Sequence, residues 1–154
     1  MTYCHRQKSP LYLVVLVPGT VLVAIACIGR GIRPDTLTLG GCGLLMILLA
    51  FCFHYLEVRD EGDFLALRYG PLPLFRRRIQ FSKITSAESS RSSILDGWGI
   101  HYIPFRGMIY NLWGFDCVKL KLGNRIIRVG SDDVEGLIRF LKERLNCGSS
   151  SAPS

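Results

Sequence analysis

The sequence holds six cysteines but no Cys-x-x-Cys pair, so zinc-ribbon and thioredoxin-type redox motifs have no support. It has only three histidines. His54 and Glu57 share a helical i, i+3 spacing and His101 stands apart, with no third ligand at a metal-binding spacing. No Gly-x-Ser-x-Gly, His-Glu-x-x-His or phosphate-loop pattern occurs, so none of the common hydrolase, metalloprotease or nucleotide-binding signatures is present. Acid is short: twelve Asp and Glu stand against nineteen Lys and Arg, a formal charge of +7. Excess base of this size fits nucleic acid or an anionic membrane surface. The basic positions Lys119, Lys121 and Arg128 have no interleaved stacking aromatics and read as a solvated strand face, not a nucleic-acid surface.

What the chain does have is apolar length. Leu11 to Ile28 carries no Asp, Glu, Lys, Arg or His, and Thr36 to Tyr55 carries only His54 among these. Each run approaches the ~20 residues a helix needs to cross a hydrocarbon layer. Neither shows the polar face of a soluble amphipathic helix. The pattern predicts a transmembrane helical hairpin over residues 11–55, with helices at about 10–28 and 36–55. Residues 1–10 read as a basic tail, with Ser9 as N-cap and Pro10 at the first helical position. Pro18 falls inside the first helix. Thr20 with Ala24, and Gly40 with Gly43, are small enough to let the two helices approach closely. Asp35 is placed to cap the second helix. The small residues Ala24 and Ala26 before Cys27 also resemble a lipoprotein-type processing site. The run is long for a signal segment, however, and a second run follows at once. Cys27, Cys42 and Cys52 lie inside the runs and behave as small hydrophobes. Base flanking the runs favours both termini in the cytoplasm and the connection outside.

From residue 56 the period changes to that of strands. Asp60, Glu61, Gly62 and Asp63 make a hairpin turn by composition, and Gly123-Asn124 a second. Residues 70–75 break the strand pattern through two prolines. Val118, Leu120 and Leu122 alternate with Lys119 and Lys121. The last element is an amphipathic helix over 132–145, with an apolar stripe of Val134, Leu137, Ile138, Leu141 and Leu145. Ser131 or Asp132 is its expected cap, with Glu135 at a capping-box spacing from Asp132. Residues 147–154 read as a disordered tail. The pattern therefore predicts about seven short antiparallel strands over residues 56–146, closed by one helix.

These residues resemble a known family. The segment 97–104, then 109–111 and 114–116, the 123–124 hairpin and the helix start at 130–133 are similar to the bacterial pleckstrin-homology-like family of small membrane proteins. The resemblance covers about residues 58–145. It implies a partly open seven-stranded barrel capped by a helix, with no catalytic chemistry. It does not carry phosphoinositide binding, because the first hairpin loop is acidic here where inositol-phosphate binders place Lys and Arg.

Two groups of residues are candidate sites. Leu74 and Phe75, followed by Arg76, Arg77 and Arg78, suit a wedge in which apolar tips enter a bilayer while arginines meet anionic headgroups. Each basic residue near such a surface contributes about 1 kcal/mol. A packed loop before a solvated strand explains the same residues without lipid. Trp98, Tyr102, Tyr110 and Trp113 suit a ligand groove, against the plainer reading of core and barrel rim. The combined expectation is a non-catalytic interaction module with no cofactor and no metal. It sits in the inner membrane and meets an unidentified membrane-associated protein or a second copy of itself. The alternatives are an anionic-lipid sensor using residues 72–78 and a membrane enzyme with an unrecognised site.

Overall fold

The computed structural model describes residues 2–29, 33–72, 74–92, 99–104 and 107–149. The chain opens with strand β1, Cys4–Lys8, and not with a tail. Helix α1, Leu11–Ile28, and helix α2, Pro34–Cys52, follow as an antiparallel pair. Strands β2 (Tyr55–Asp60), β3 (Phe64–Gly70) and β4 (Arg76–Gln80) come next. A single 3-10 turn, Phe81–Lys83, leads to β5 (Ser86–Arg91), β6 (Gly99–Ile103) and β7 (Gly107–Asn111). Strands β8 (Asp116–Leu122) and β9 (Arg125–Gly130) precede the last helix, α3, Val134–Ser149.

Both long helices form where the apolar runs predict them, with shifted ends. Pro10 is the N-cap of α1, and Ser9, one residue earlier, accepts the Leu11 N–H through its hydroxyl at 3.0 Å. In α2 the expected cap, Asp35, lies in the first turn. The Thr36 hydroxyl accepts the Arg33 N–H at 3.0 Å and donates to the Arg33 carbonyl at 2.8 Å. The second helix stops at Cys52, because Tyr55 is already paired in β2. A core helix of a soluble protein is mostly buried. Here only 6% of the α1 window and 17% of the α2 window are buried, so the apolar side chains face outward. The helices touch where they have least side chain, Gly19 against Gly43. Two helices of this length and hydropathy are sufficient to cross a membrane.

β1 pairs antiparallel with β2, from Cys4 opposite Arg59 to Lys8 opposite Tyr55. The segments that enter and leave the helical hairpin are therefore one ladder, and both join the head at the same end. Arg6 locks this pairing. Its guanidinium donates through Nε to Glu57 Oε2 at 3.0 Å and stacks over the Tyr55 ring at 4.3 Å. Glu57 is 7% exposed, and a buried carboxylate is tolerated only when paired.

The head is mixed, as expected; in place of a partly open barrel of seven strands it has two separate sheets. Nine strands are described, four in the order β1-β2-β3-β4 and five in the order β5-β8-β9-β7-β6. The first sheet is antiparallel throughout, and the second is antiparallel except for β7 beside β9, which is parallel. Gly107 permits that parallel approach, since its φ is +87° and its Cα lies against the Ile126 carbonyl. Leu56, Leu65, Leu67 and Tyr69 of the first sheet face Val118, Leu120 and Val129 of the second across the core. Leu137, Phe140 and Leu141 of α3 complete it. The helix packs on β5, β8 and the 3-10 turn, and Tyr3 stacks on its Phe140 at 5.2 Å. Among the described residues one side of the two-sheet head is thus covered, and the side between β4 and β6 is not.

The cap of α3 is Asp133, one residue later than expected: its Oδ1 accepts the Gly136 N–H at 3.1 Å. Its Oδ2 accepts the Tyr3 hydroxyl at 3.1 Å, and burial together with that carboxylate pushes the Tyr3 phenol well above its ordinary range. The helix continues to Ser149, so the expected tail at 147 begins as helix, and residues 150–154 lie outside those described. Asp133→Ala should lower the stability of the full-length protein in micelles by about 1–2 kcal/mol, read by thermal unfolding. Asp132→Ala, which removes only the exposed pair with His5, should cost a few tenths of that unit. Equal effects would place the cap at Asp132.

Candidate functional site

The uncovered side of the head is a seam running along β4. Register places Leu65, Leu67 and Tyr69 of β3 on the core face. Arg77 lies opposite Leu67 and Ile79 opposite Leu65, so Arg77 and Ile79 share that inward face. Arg77 is exposed because no strand among the described residues pairs with β4 on its far side. Alternate N–H and C=O groups of β4 therefore point into the seam, the condition under which an edge strand accepts another chain.

The other wall comes from the second sheet. Ile100 lies opposite Tyr110 and Tyr102 opposite Met108, which sets all four on one face of the β6–β7 pair. The central part of the seam is a cleft of about 410 Å³ lined by Arg77, Tyr102, Met108, Tyr110, Arg125 and Ile127. Towards the helical hairpin it continues as a hollow of about 220 Å³ with Tyr69, Leu74, Phe75, Arg76 and Ile100 in its walls. Away from the hairpin a third hollow, about 480 Å³, adds Arg78, Lys83 and Leu122. Arg77 lines all three, and Tyr110 joins the first two.

The charges along the seam differ in one respect. Arg78 is tied to Glu61, 2.9 Å from its Nε, and the same carboxylate pairs with Arg68. Arg76, Arg77 and Arg125 have no ion pair among the described residues. The wall is thus apolar and aromatic with unneutralised guanidinium groups at its margin.

Of the expected groove residues, Tyr102 and Tyr110 meet in the seam. Tyr102 is 69% exposed and Tyr110 only 7%, a flap and a floor. Trp113 is elsewhere, in the β7–β8 turn, where its carbonyl accepts the Gln7 amide at 2.8 Å. Trp98 lies outside the described residues. Of the wedge residues, Leu74, Phe75, Arg76 and Arg77 gather at the hairpin end of the seam, whereas Arg78 is held back by Glu61. The anchor is Phe53, the residue after α2, whose ring stacks on Phe75 at 5.3 Å and meets Tyr69 edge-on at 5.4 Å. Leu72, Leu74 and Phe75 remain exposed at that end.

Arg125, Met108 and Ile127 were missed as groove residues. They reach the seam through the parallel β7–β9 pairing, for which the sequence carries no local signal. Among the described residues no three His, Cys, Asp or Glu side chains come together as a metal site. His54 instead meets Tyr12 edge-on at 4.3 Å, and Glu57 holds Arg6. No protein-family model matches the chain, and no curated protein matches it.

Proposed function

We propose that this chain is a non-catalytic interaction module of pleckstrin-homology type, anchored in the inner membrane by α1 and α2. In this reading the head and both termini are cytoplasmic, and an extended segment of a protein partner lies in the seam as an added strand on β4. The carrying observation is the seam itself. An unpaired strand edge, an aromatic floor and unneutralised arginines occur together along one line. Strand addition draws affinity from main-chain hydrogen bonds and specificity from pockets for alternate side chains. Tyr110, Met108 and Ile127 supply such pockets, and Arg77 and Arg125 favour acidic side chains in the partner. The outward-facing apolar helices support the anchor, and Arg6, Lys8 and Arg59 beside them support the orientation.

The test is site-specific photocrosslinking in native membranes. A benzophenone side chain at Tyr102 should capture one defined protein, and the same probe at Lys142 on α3 should not. Arg77→Glu should reduce the Tyr102 capture several-fold. Capture at both positions, or insensitivity to Arg77→Glu, rejects the seam. Covalent dimers alone would replace the partner with a second copy of this chain.

A further inference from the structure

Hydrogen bonding at both ends of β4 determines which of its main-chain groups an added strand can reach. The Tyr69 N–H donates to the Phe75 carbonyl at 3.0 Å, and the Phe81 N–H donates to the Asp63 carbonyl at 3.0 Å. Residues of an antiparallel pair alternate between hydrogen-bonded and non-hydrogen-bonded positions. Leu67 lies opposite Arg77 and Leu65 opposite Ile79. The main-chain groups of Phe75, Arg77, Ile79 and Phe81 are therefore turned to β3, and those of Arg76 and Arg78 are turned to the seam. The first sheet is antiparallel throughout, and a strand added in the same sense exchanges main-chain bonds with Arg76 and Arg78. Its residues opposite Phe75, Arg77 and Ile79 then form the non-hydrogen-bonded pairs, in which Cα atoms approach to about 4.5 Å and side chains are closest. Those three side chains point inward, two residues or about 6.5–7 Å apart.

The walls change along that line. Opposite Phe75, an added side chain meets the hollow walled by Tyr69, Phe75, Ile100 and Tyr110. Opposite Ile79, it meets Ile79, Leu122 and Ile127. Opposite Arg77, it meets two guanidinium groups, because Arg77 of the first sheet and Arg125 of the second line one cleft. Both arginines are exposed and neither has an ion pair among the described residues. Among those residues no acidic side chain lines the cleft or either hollow beside it. Arg78 lies one position along, on the opposite face of β4, and is neutralised there by Glu61. A carboxylate between two guanidinium groups can accept charge-assisted bonds from both. We infer that the seam selects its partner segment by one pattern: an acidic side chain opposite Arg77, and apolar side chains two residues before and two residues after it. The residues between them face away from the core and are free to vary. The pattern rests on strand addition to β4 and specifies what the added strand carries.

The experiment measures fluorescence anisotropy of dye-labelled synthetic peptides with the full-length protein in micelles. The reference peptide is Thr-Val-Thr-Asp-Thr-Val-Thr, whose symmetry makes strand direction immaterial. Replacing its aspartate by asparagine should weaken binding roughly tenfold, and replacing both valines by threonine should weaken it about tenfold as well. Arg125→Ala should weaken the aspartate peptide roughly tenfold and leave the asparagine peptide within about twofold of wild type, the coupling expected of a direct pair. Unchanged asparagine-peptide binding also reports that the variant is folded. Arg76→Ala, on the other face of β4, should change neither peptide by more than about twofold. Equal binding of the aspartate and asparagine peptides, or an equal loss in Arg76→Ala and Arg125→Ala, overturns the pattern; strand addition survives that result if a benzophenone at Tyr102 still captures the peptides. Absence of both binding and capture for every peptide overturns strand addition, and the pattern with it.

Discussion

Gly107→Val is expected to destabilise the head by about 4 kcal/mol, a large share of the roughly 5–15 kcal/mol that holds a small domain. Two independent terms contribute. The φ of Gly107 is +87°, a region that costs an L-residue about 1–2 kcal/mol and a β-branched one more. Its Cβ would also stand 2.1 Å from the Ile126 carbonyl oxygen. That oxygen is backbone, and it moves away only if β7 and β9 separate, so overpacking of about 1–3 kcal/mol adds to the strain. Gly123→Ala is the control. Gly123 has a φ of +57° in the β8–β9 turn, but a Cβ there meets nothing within 4 Å. It should cost about 1 kcal/mol. Urea unfolding in micelles, followed by tryptophan fluorescence, measures both. Near-equal midpoints would show that β7 does not lie parallel to β9. Because β7 carries Met108 and Tyr110, the same variant should abolish partner capture at Tyr102.

The parallel pairing marks where the sequence stops being informative. The helices were legible because apolar runs of this length without charge are rare. Strands β2, β3, β8 and β9 were legible because apolar alternation brackets turns at Gly62 and Gly123. β1 was not. Cys4, His5, Arg6, Gln7 and Lys8 have no strand propensity to notice, and they are extended because β2, some fifty residues later, offers an unpaired edge. A strand made by its partner leaves no local pattern. Pairing β7 with β9 is the same kind of fact, since three residue pairs decide it and both strands look alike to any neighbour.

The site was legible in proportion to how local it is. Residues 72–78 stood out as apolar tips followed by arginines, and four of those side chains do gather at one end of the seam. That Arg78 is withdrawn follows from Glu61, seventeen positions earlier, across β3. Tyr69 gave no signal at all. An aromatic in an apolar strand reads as core, and it is core; what is unusual is that its hydroxyl has no hydrogen-bond partner among the described residues, and a hydroxyl's partners are set by the tertiary structure.

Gly43→Leu should split the helical hairpin while Gly41→Leu leaves it intact. Small residues at 20, 24, 40 and 43 were expected to allow close helix contact, and the contact forms with Gly19 in place of the first pair. A Cβ on Gly43 would stand 2.7 Å from the Gly19 carbonyl oxygen and 3.0 Å from the Val23 backbone nitrogen. Neither backbone atom has room to retreat unless the helices separate. In a bilayer nothing but packing and hydrogen bonds holds such helices together, so the loss of close contact is not offset by solvent exclusion. A Cβ on Gly41 meets nothing within 4 Å. The expected difference is about 3 kcal/mol, or a melting temperature lower by about 10 °C for Gly43→Leu in nanodiscs. The effect should extend into the head. β1 and β2 continue directly from the helix ends and pair from Lys8 opposite Tyr55, so separating α1 from α2 pulls on that ladder at its first rung. Loss of the Arg6 contact to Glu57, read as faster amide exchange across β1 in Gly43→Leu but not in Gly41→Leu, would show that the anchor and the head are one mechanical unit. Unchanged exchange with a lowered melting temperature would show instead that the head folds independently of its anchor.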